Sequence, residues 1–383
     1  MSSHTLTVKK IDGKPGQVYY PLQLNSVPKP TPGPNQVLVK LSAAALNHRD
    51  LFIRQHLYPG ISFSHPLLAD GYGTVIALGG PGAESSDALL NKPVILTPSW
   101  GWEEDPVGPE QNGAKFAVLG GAAMYDHGTA QEYVVVPEDE VVLAPAHLTP
   151  AEGAALPLVG LTGWRALVTK ANARRGDNVL VTGIGGGVAL QAAQFAAAMG
   201  CNVFVTSRDK AKIEKAVKLL GVKGGVVYKD ADWDKQLKGL LPADRPWLDA
   251  VVDGAGGDVV GRTVKLLKVG GVIACYGMTV GPKMDWTMQA VLKNVELKGT
   301  SMGSKKEFRE MVDFVGKHKI RPVVSKVVRG LDNLEGIDGL FEEMKAGRQF
   351  GKLVILIGDD GEGEGGDDGS AASGNSAASS PKL

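Results

Sequence analysis

Cysteine is scarce in this chain: its 383 residues carry two, Cys201 and Cys275, both in apolar runs that read as strands or strand entries. Two thiols cannot build a disulfide framework or a four-cysteine zinc lobe, which points to a reducing compartment. A surplus of one charge is missing as well. Lys and Arg total 41 against 41 Asp and Glu, so nothing favours a nucleic-acid partner or an anionic membrane surface. No stretch approaches the roughly 18 uncharged apolar residues of a membrane span. The opening Met1-Ser2-Ser3-His4-Thr5 lacks a basic and then apolar leader, so no signal peptide is expected and the cytoplasm is the default location. What remains is a chain with 43% hydrophobic and 21% charged residues, long enough for two domains with separate cores.

Residues 1–140 read as mainly β, with short β-branched runs such as Val37-Leu38-Val39 and Tyr133-Val134-Val135-Val136 set between Gly and Pro. Trp100-Gly101-Trp102 opens a surface loop whose tryptophans pack it onto the body. The character changes at Thr149-Pro150-Ala151-Glu152, a capping box with proline at the first helical position. Strands and helices then alternate. Val179–Thr182, Asn202–Thr206, Leu248–Val252 and Gly271–Cys275 read as strands. Ile213, Ala216, Val217 and Leu220 mark one helix face, which Gly221 ends. Repeated βα units of this kind specify an α/β fold with a doubly wound parallel sheet. A second capping box, Ser304–Glu307, opens a helix with Phe308, Met311, Val312 and Val315 on one face, and a last strand runs from Lys352 to Ile357. Beyond Gly358 the composition is Gly, Ser, Ala, Asp and Glu, which predicts a disordered acidic tail over 359–383.

Gly183-Ile184-Gly185-Gly186-Gly187-Val188-Ala189 lies between a strand and a helix, the context of a dinucleotide turn. Glycines let the backbone approach a pyrophosphate without an intervening Cβ, and the helix N-terminus offers unpaired N–H groups and partial positive charge. Gly183, Gly185, Gly186, Gly187 and Val188 are therefore the candidate pyrophosphate contacts. An NAD-selective site usually has an acid at the end of the second strand, and by spacing that place falls on Ser207. An acid there would repel a 2′-phosphate by about 4 kcal/mol per unit charge at 4 Å and an effective ε near 20. Instead Arg208 follows, with Lys212 one helical turn on, and both suit a phosphate. The cofactor read from these residues is NADP(H); a plain solvated helix start is the alternative for Arg208 and Lys212.

The order of elements, with Asn47-His48-Arg49-Asp50, Arg54, Tyr58-Pro59, Asp70-Gly71-Tyr72-Gly73, Gly128-Thr129-Ala130-Gln131-Glu132-Tyr133, Ala155–Trp164 and Gly351-Lys352-Leu353-Val354, resembles the medium-chain dehydrogenase/reductase superfamily, specifically its zinc-independent, quinone-oxidoreductase-like branch. The resemblance implies a mainly β, GroES-like catalytic domain over 1–159 plus 302–358 and a Rossmann cofactor domain over 160–301. It also locates the three zinc-ligand positions of the metal-dependent members. Here they hold Asn47, Ala69 followed by Asp70, and a position near Leu158. One carboxylate among these residues cannot supply the three donors that zinc needs, so no metal is expected.

Without a Lewis acid, hydride transfer to a quinone or an α,β-unsaturated carbonyl fits best, because charge lands on an already conjugated oxygen. The resemblance implies Asn47 and Thr162 at the nicotinamide end, with Tyr58 as proton donor or substrate hydrogen-bonder. A packed loop is the rival account of Tyr58. Arg49, Asp50 and Arg54 are expected to hold their loop. Asp253-Gly254-Ala255-Gly256-Gly257 and Gly277 resemble the turns that meet the nicotinamide ribose and amide, and Cys275 reads as a buried, inert thiol. The expected partner is a small-molecule substrate, and a homodimer is implied by resemblance. The rivals are an alcohol- or aldehyde-dehydrogenase-type carbonyl reductase and a non-catalytic NADPH-binding protein.

Overall fold

The computed structural model describes residues 2–80, 88–111, 115–281 and 283–358, so the expected acidic tail lies outside the described residues. Two sheets organise the chain. The six-stranded one is parallel and takes Gly224–Val227, Asn202–Ser207, Asn178–Val181, Leu248–Asp253, Leu267–Cys275 and Glu296–Gly299 in spatial order. Numbered by their order in the chain, these strands run 3-2-1-4-5-6, the dinucleotide-binding arrangement. Alternate side chains along each strand enter opposite cores, as strand pleating requires. Val179, Val181, Val203, Val205 and Val252 pack with Leu190, Phe195 and Ile213 on one face. Leu180, Phe204 and Val251 pack with Trp233, Leu237 and Val260 on the other.

The second sheet has seven strands and begins from the N-terminal half. Gln36–Ala45 is its hub, pairing antiparallel with Asp70–Leu78, with Tyr133–Pro137 and with Lys352–Leu356. The chain after Met302 serves both units. Its helix Lys305–His318 buries Phe308, Met311, Val312 and Val315 in the core that holds Leu161 and Trp164. The strands Val324–Arg329 and Lys352–Leu356 join the seven-stranded sheet.

Local signals are realised closely. Thr149–Glu152 and Ser304–Glu307 both form reciprocal capping boxes. On helix Lys210–Leu220, Ile213, Ala216 and Leu220 are buried, but Val217 is 41% exposed. The helix rests on the sheet along a narrower stripe than the spacing predicts. Trp102 packs its loop onto the body under the Arg165 guanidinium, 4.4 Å from its ring. Among the described residues no helix is long and apolar enough to cross a membrane.

Candidate functional site

The glycine turn links Asn178–Val181 to the helix Gly187–Ala198. Gly183 and Gly185 have φ of +69° and +121°, which side-chain-bearing residues rarely adopt. Space is open above part of the turn: a Cβ on Gly183 would meet nothing within 4 Å and one on Gly186 only Gly183 O at 3.7 Å, whereas one on Gly185 would stand 3.0 Å from Lys212 Cδ. Gly187 is different. A Cβ there would come within 2.8 Å of Val159 Cγ1 and 3.1 Å of Lys352 Cδ. The turn also bonds through its backbone to the residue preceding the strand Lys352–Leu356, since Gly351 N donates to Gly185 O at 3.1 Å. Val188 follows in the first turn of the helix, its carbonyl 3.4 Å from where a Cβ on Gly163 would stand.

At the end of the second strand Ser207 is buried, and its Oγ accepts from Asp209 N at 3.1 Å. Asp209 in turn caps helix Lys210–Leu220. Arg208 Nη2 donates to Ala346 O at 2.9 Å and Gly347 O at 3.2 Å. Lys212 Nζ donates to Gly347 O at 2.9 Å and Gln349 O at 2.8 Å. Burial and the neighbouring Arg208 lower the lysine's pKa. Both cations thus close the C-terminal end of helix Leu334–Ala346, a role invisible in their spacing. Among the described residues, the exposed Arg208 has no hydrogen-bond partner for Nε and Nη1 beyond these two Nη2 bonds.

Asp253 has its carboxylate turned inward. Oδ1 accepts from Thr182 Oγ1 at 2.6 Å and Ala255 N at 3.1 Å, and Oδ2 accepts from Gly256 N at 2.9 Å. It is fully buried, and burial raises its pKa. In this structure it shapes the turn at 254–256, and that turn's backbone is the surface on offer. Gly277 faces this turn, with Gly254 O 3.5 Å from where its Cβ would stand. Cys275 donates to Gly277 O at 3.2 Å, and burial pushes its thiol pKa up, as an inert thiol requires.

The residues at the three metal positions converge. Asn47 Nδ2 donates to Asp70 Oδ2 at 2.9 Å, and Leu158 N donates to Asp70 Oδ1 at 2.8 Å. At their centre stands the ammonium of Lys352, which donates to Leu46 O at 2.7 Å, Asn47 Oδ1 at 2.6 Å and Asp70 Oδ2 at 2.8 Å. Lysine and aspartate are 5% and 0% exposed. Sequence reasoning missed Lys352. Its available signal was a lone cation opening the otherwise apolar strand Lys352–Leu356, whose first four residues are buried. The donor set does not fit zinc: one carboxylate and one amide oxygen already serve a cation. Among the described residues no cluster of three His, Cys, Asp or Glu side chains could hold a metal ion.

The remaining candidates divide. Asp50 and Asn47 form the capping box of helix His48–Arg54, and Asn47 N donates to Asp50 Oδ2 at 2.7 Å. Burial raises the Asp50 pKa to about 6, although Arg49 and the Asn47 N–H pull it down. Arg49 gives Nη1 to Asp50 Oδ1 at 3.0 Å, and its guanidinium covers the Tyr58 ring at 4.6 Å. That stacking matches the packed-loop account of Tyr58. Arg54 pairs with Asp338 at 2.6 Å and donates to Tyr20 O, so it holds the loop. Thr162 Oγ1 donates within its own helix to Leu158 O at 2.7 Å, which commits the hydroxyl hydrogen expected to face the nicotinamide.

Known proteins resemble the chain over nearly its whole length. Residues 33–146 match the family model described as alcohol dehydrogenase GroES-like domain, and residues 187–317 match the one described as zinc-binding dehydrogenase. The zinc-type alcohol dehydrogenase-like protein YogA of Leptosphaeria maculans is 60% identical, over 92% of this chain and 99% of its own length. The acryloyl-coenzyme A reductase of Sulfurisphaera tokodaii is 28% identical over 87% and 96% of the two chains. A crystal structure of an NAD-dependent alcohol dehydrogenase superposes with a TM-score of 0.77 at 31% identity, covering 94% of this chain and 100% of the other.

Proposed function

The chain belongs to the medium-chain dehydrogenase/reductase superfamily and is an oxidoreductase of that type, and from that premise we propose that it transfers hydride from NADPH to a quinone or an α,β-unsaturated carbonyl without zinc. The observation that carries this reading is the lysine-centred cluster. Where a Lewis acid would polarise a simple carbonyl, the protein has an amide, a carboxylate and an ammonium already bonded to one another. A conjugated acceptor needs less help, because the hydride arrives at carbon while charge spreads onto an oxygen through the π-system. Asn47 supplies the polarising donor: one Nδ2 hydrogen goes to Asp70, and the second remains for an acceptor oxygen. The relative that reduces acryloyl-coenzyme A is consistent with an enone-like substrate.

The dinucleotide lies over Gly183 and Gly186, where the backbone is open, with its phosphates at the N-terminus of helix Gly187–Ala198. The NADP(H) assignment rests on the missing acid at Ser207 and on the free donors of Arg208. Relatives leave this open, since one solved neighbour is NAD-dependent. A homodimer would join the six-stranded sheet at its edge strand Glu296–Gly299, on which Leu297 is exposed and before which Trp286, Met288 and Leu292 are exposed. The deciding experiment is turnover of NADPH and NADH against a panel of quinones, enones and saturated aldehydes. Turnover of the conjugated acceptors with NADPH is expected. A preference for saturated aldehydes, or tight NADPH binding with no turnover at all, would overturn the proposal.

A further inference from the structure

We propose that the ammonium of Lys352 is the resident cation of this site in place of a metal, and that its task is to position the Asn47 carboxamide. The inference rests on the reading of Asn47 as donor to the acceptor oxygen, and adds what makes it one. A lysine ammonium can only donate hydrogen bonds and a carboxylate can only accept them. The amide of Asn47 lies between the two, with Oδ1 2.6 Å from Lys352 Nζ and Nδ2 2.9 Å from Asp70 Oδ2. Turning the amide over would set its N–H groups against the ammonium and its oxygen against the carboxylate. One orientation is therefore enforced by chemistry at both ends. Charge on the oxygen side also polarises the amide and strengthens its remaining N–H as a donor.

Lys352 cannot act on substrate itself. Its three hydrogens go to Leu46 O, Asn47 Oδ1 and Asp70 Oδ2, which makes it a positioning residue. The side-chain oxygens of Asn47 and Asp70 that a metal here would need are already taken by the ammonium. Its stem runs past Gly187, where an added Cβ would stand 3.1 Å from Lys352 Cδ. The cation is thereby tied to the start of the helix that follows the glycine turn. Asp70, anchored by Leu158 N from the helix Pro157–Trp164, holds the opposite side.

The test compares wild type with Lys352→Met and with Lys352→Met/Asp70→Asn, the second keeping the site neutral if the lone buried carboxylate unfolds the first. The readout is the Asn47 side-chain amide in 15N–1H spectra, identified by its loss in Asn47→Asp. In wild type, two separate, slowly exchanging amide protons are expected. In either folded variant their exchange with solvent should quicken at least tenfold, and their separation should shrink. With an acceptor that turns over, kcat should fall at least tenfold while NADPH affinity changes less than threefold. An unaltered Asn47 amide in a folded variant would overturn the proposal. So would a loss confined to NADPH affinity, which would place Lys352 on the coenzyme. If no acceptor turns over even in wild type, the proposed function fails while the amide measurement still decides the role of Lys352.

Discussion

The glycine turn and the lysine-centred cluster lie against one another and are built by opposite means. The turn is backbone. Two residues with positive φ, open space above Gly183 and Gly186 and the start of one helix come from a handful of consecutive residues. The cluster is side chains and one amide, gathered from Asn47, Asp70, Leu158 and Lys352, with Lys352 reaching 305 residues along the chain to Asn47. A backbone site for phosphate needs only that nothing intrude. A charged cluster needs every donor matched to an acceptor, because an unpaired buried charge costs several kcal/mol. The first is therefore broken by adding an atom and the second by removing one.

Gly187 is where the two kinds of order meet, and its substitution has the largest expected effect. A valine Cβ there would stand 2.8 Å from Val159 and 3.1 Å from the Lys352 stem. Overpacking of this kind typically costs 1–3 kcal/mol. Here the strain falls on the helix start proposed to receive the phosphates and on the lysine proposed to order Asn47. Gly187→Val is expected to weaken NADPH binding at least a hundredfold in a fluorescence titration while far-UV circular dichroism stays native. Unchanged affinity would mean that the dinucleotide does not lie on this turn.

Asp50 sharpens the contrast from the other side, because its cost is visible only through pH. Its folded-state pKa of about 6 exceeds its ordinary 3.8, so the fold prefers the protonated carboxyl. The sign follows from linkage: the folded protein binds the extra proton between those values. Its contribution to stability is therefore greatest below about pH 4, declines as pH rises through 6, and is constant above. The decline amounts to about 3 kcal/mol. Asp50→Asn keeps an oxygen for the Asn47 N–H and cannot ionise. In urea unfolding from about pH 4 to 8, its stability relative to wild type should rise as pH climbs from about 4 to 6 and level off above that. A difference independent of pH would remove Asp50 as a titrating group.

What was legible in the sequence follows the same division. The capping boxes at Thr149 and Ser304, the alternating βα units and the glycine turn depend on neighbours within a few residues, and the structure has them where the spacing predicts. Asn47 and Asp70 could be placed only by resemblance, and Lys352 escaped because nothing within five residues says what it pairs with. Asp253 and Thr162 were legible as positions but not as orientations. Each commits its polar atoms to a turn or a helix carbonyl, and only the folded backbone shows which. Val217 missed the core for a similar reason: helical periodicity gives a face, and packing decides how wide the buried stripe is.

The smallest expected effect concerns the end of the second strand, where local pattern and tertiary contact overlap on the same residues. Lys212 is pinned by two carbonyl oxygens, and its charge is already disfavoured by burial and by Arg208. Under the proposed NADP(H) assignment, selectivity for a 2′-phosphate therefore falls on Ser207 and on the remaining edge of Arg208. Ser207→Asp with Arg208→Ala replaces a neutral, buried oxygen by an anion and removes the exposed guanidinium. Solvent and salt screen that exposed side, so the change should be well below the roughly 4 kcal/mol of an unscreened pair. A shift of the NADPH-to-NADH affinity ratio by about ten- to thirtyfold toward NADH is expected, about 1.4–2 kcal/mol. The lost bonds to Ala346 and Gly347 should lower stability by no more than about 1 kcal/mol, since they are exposed. An unchanged ratio with the stability loss present would mean that Arg208 serves the helix end alone, and that the coenzyme's second ribose is read elsewhere.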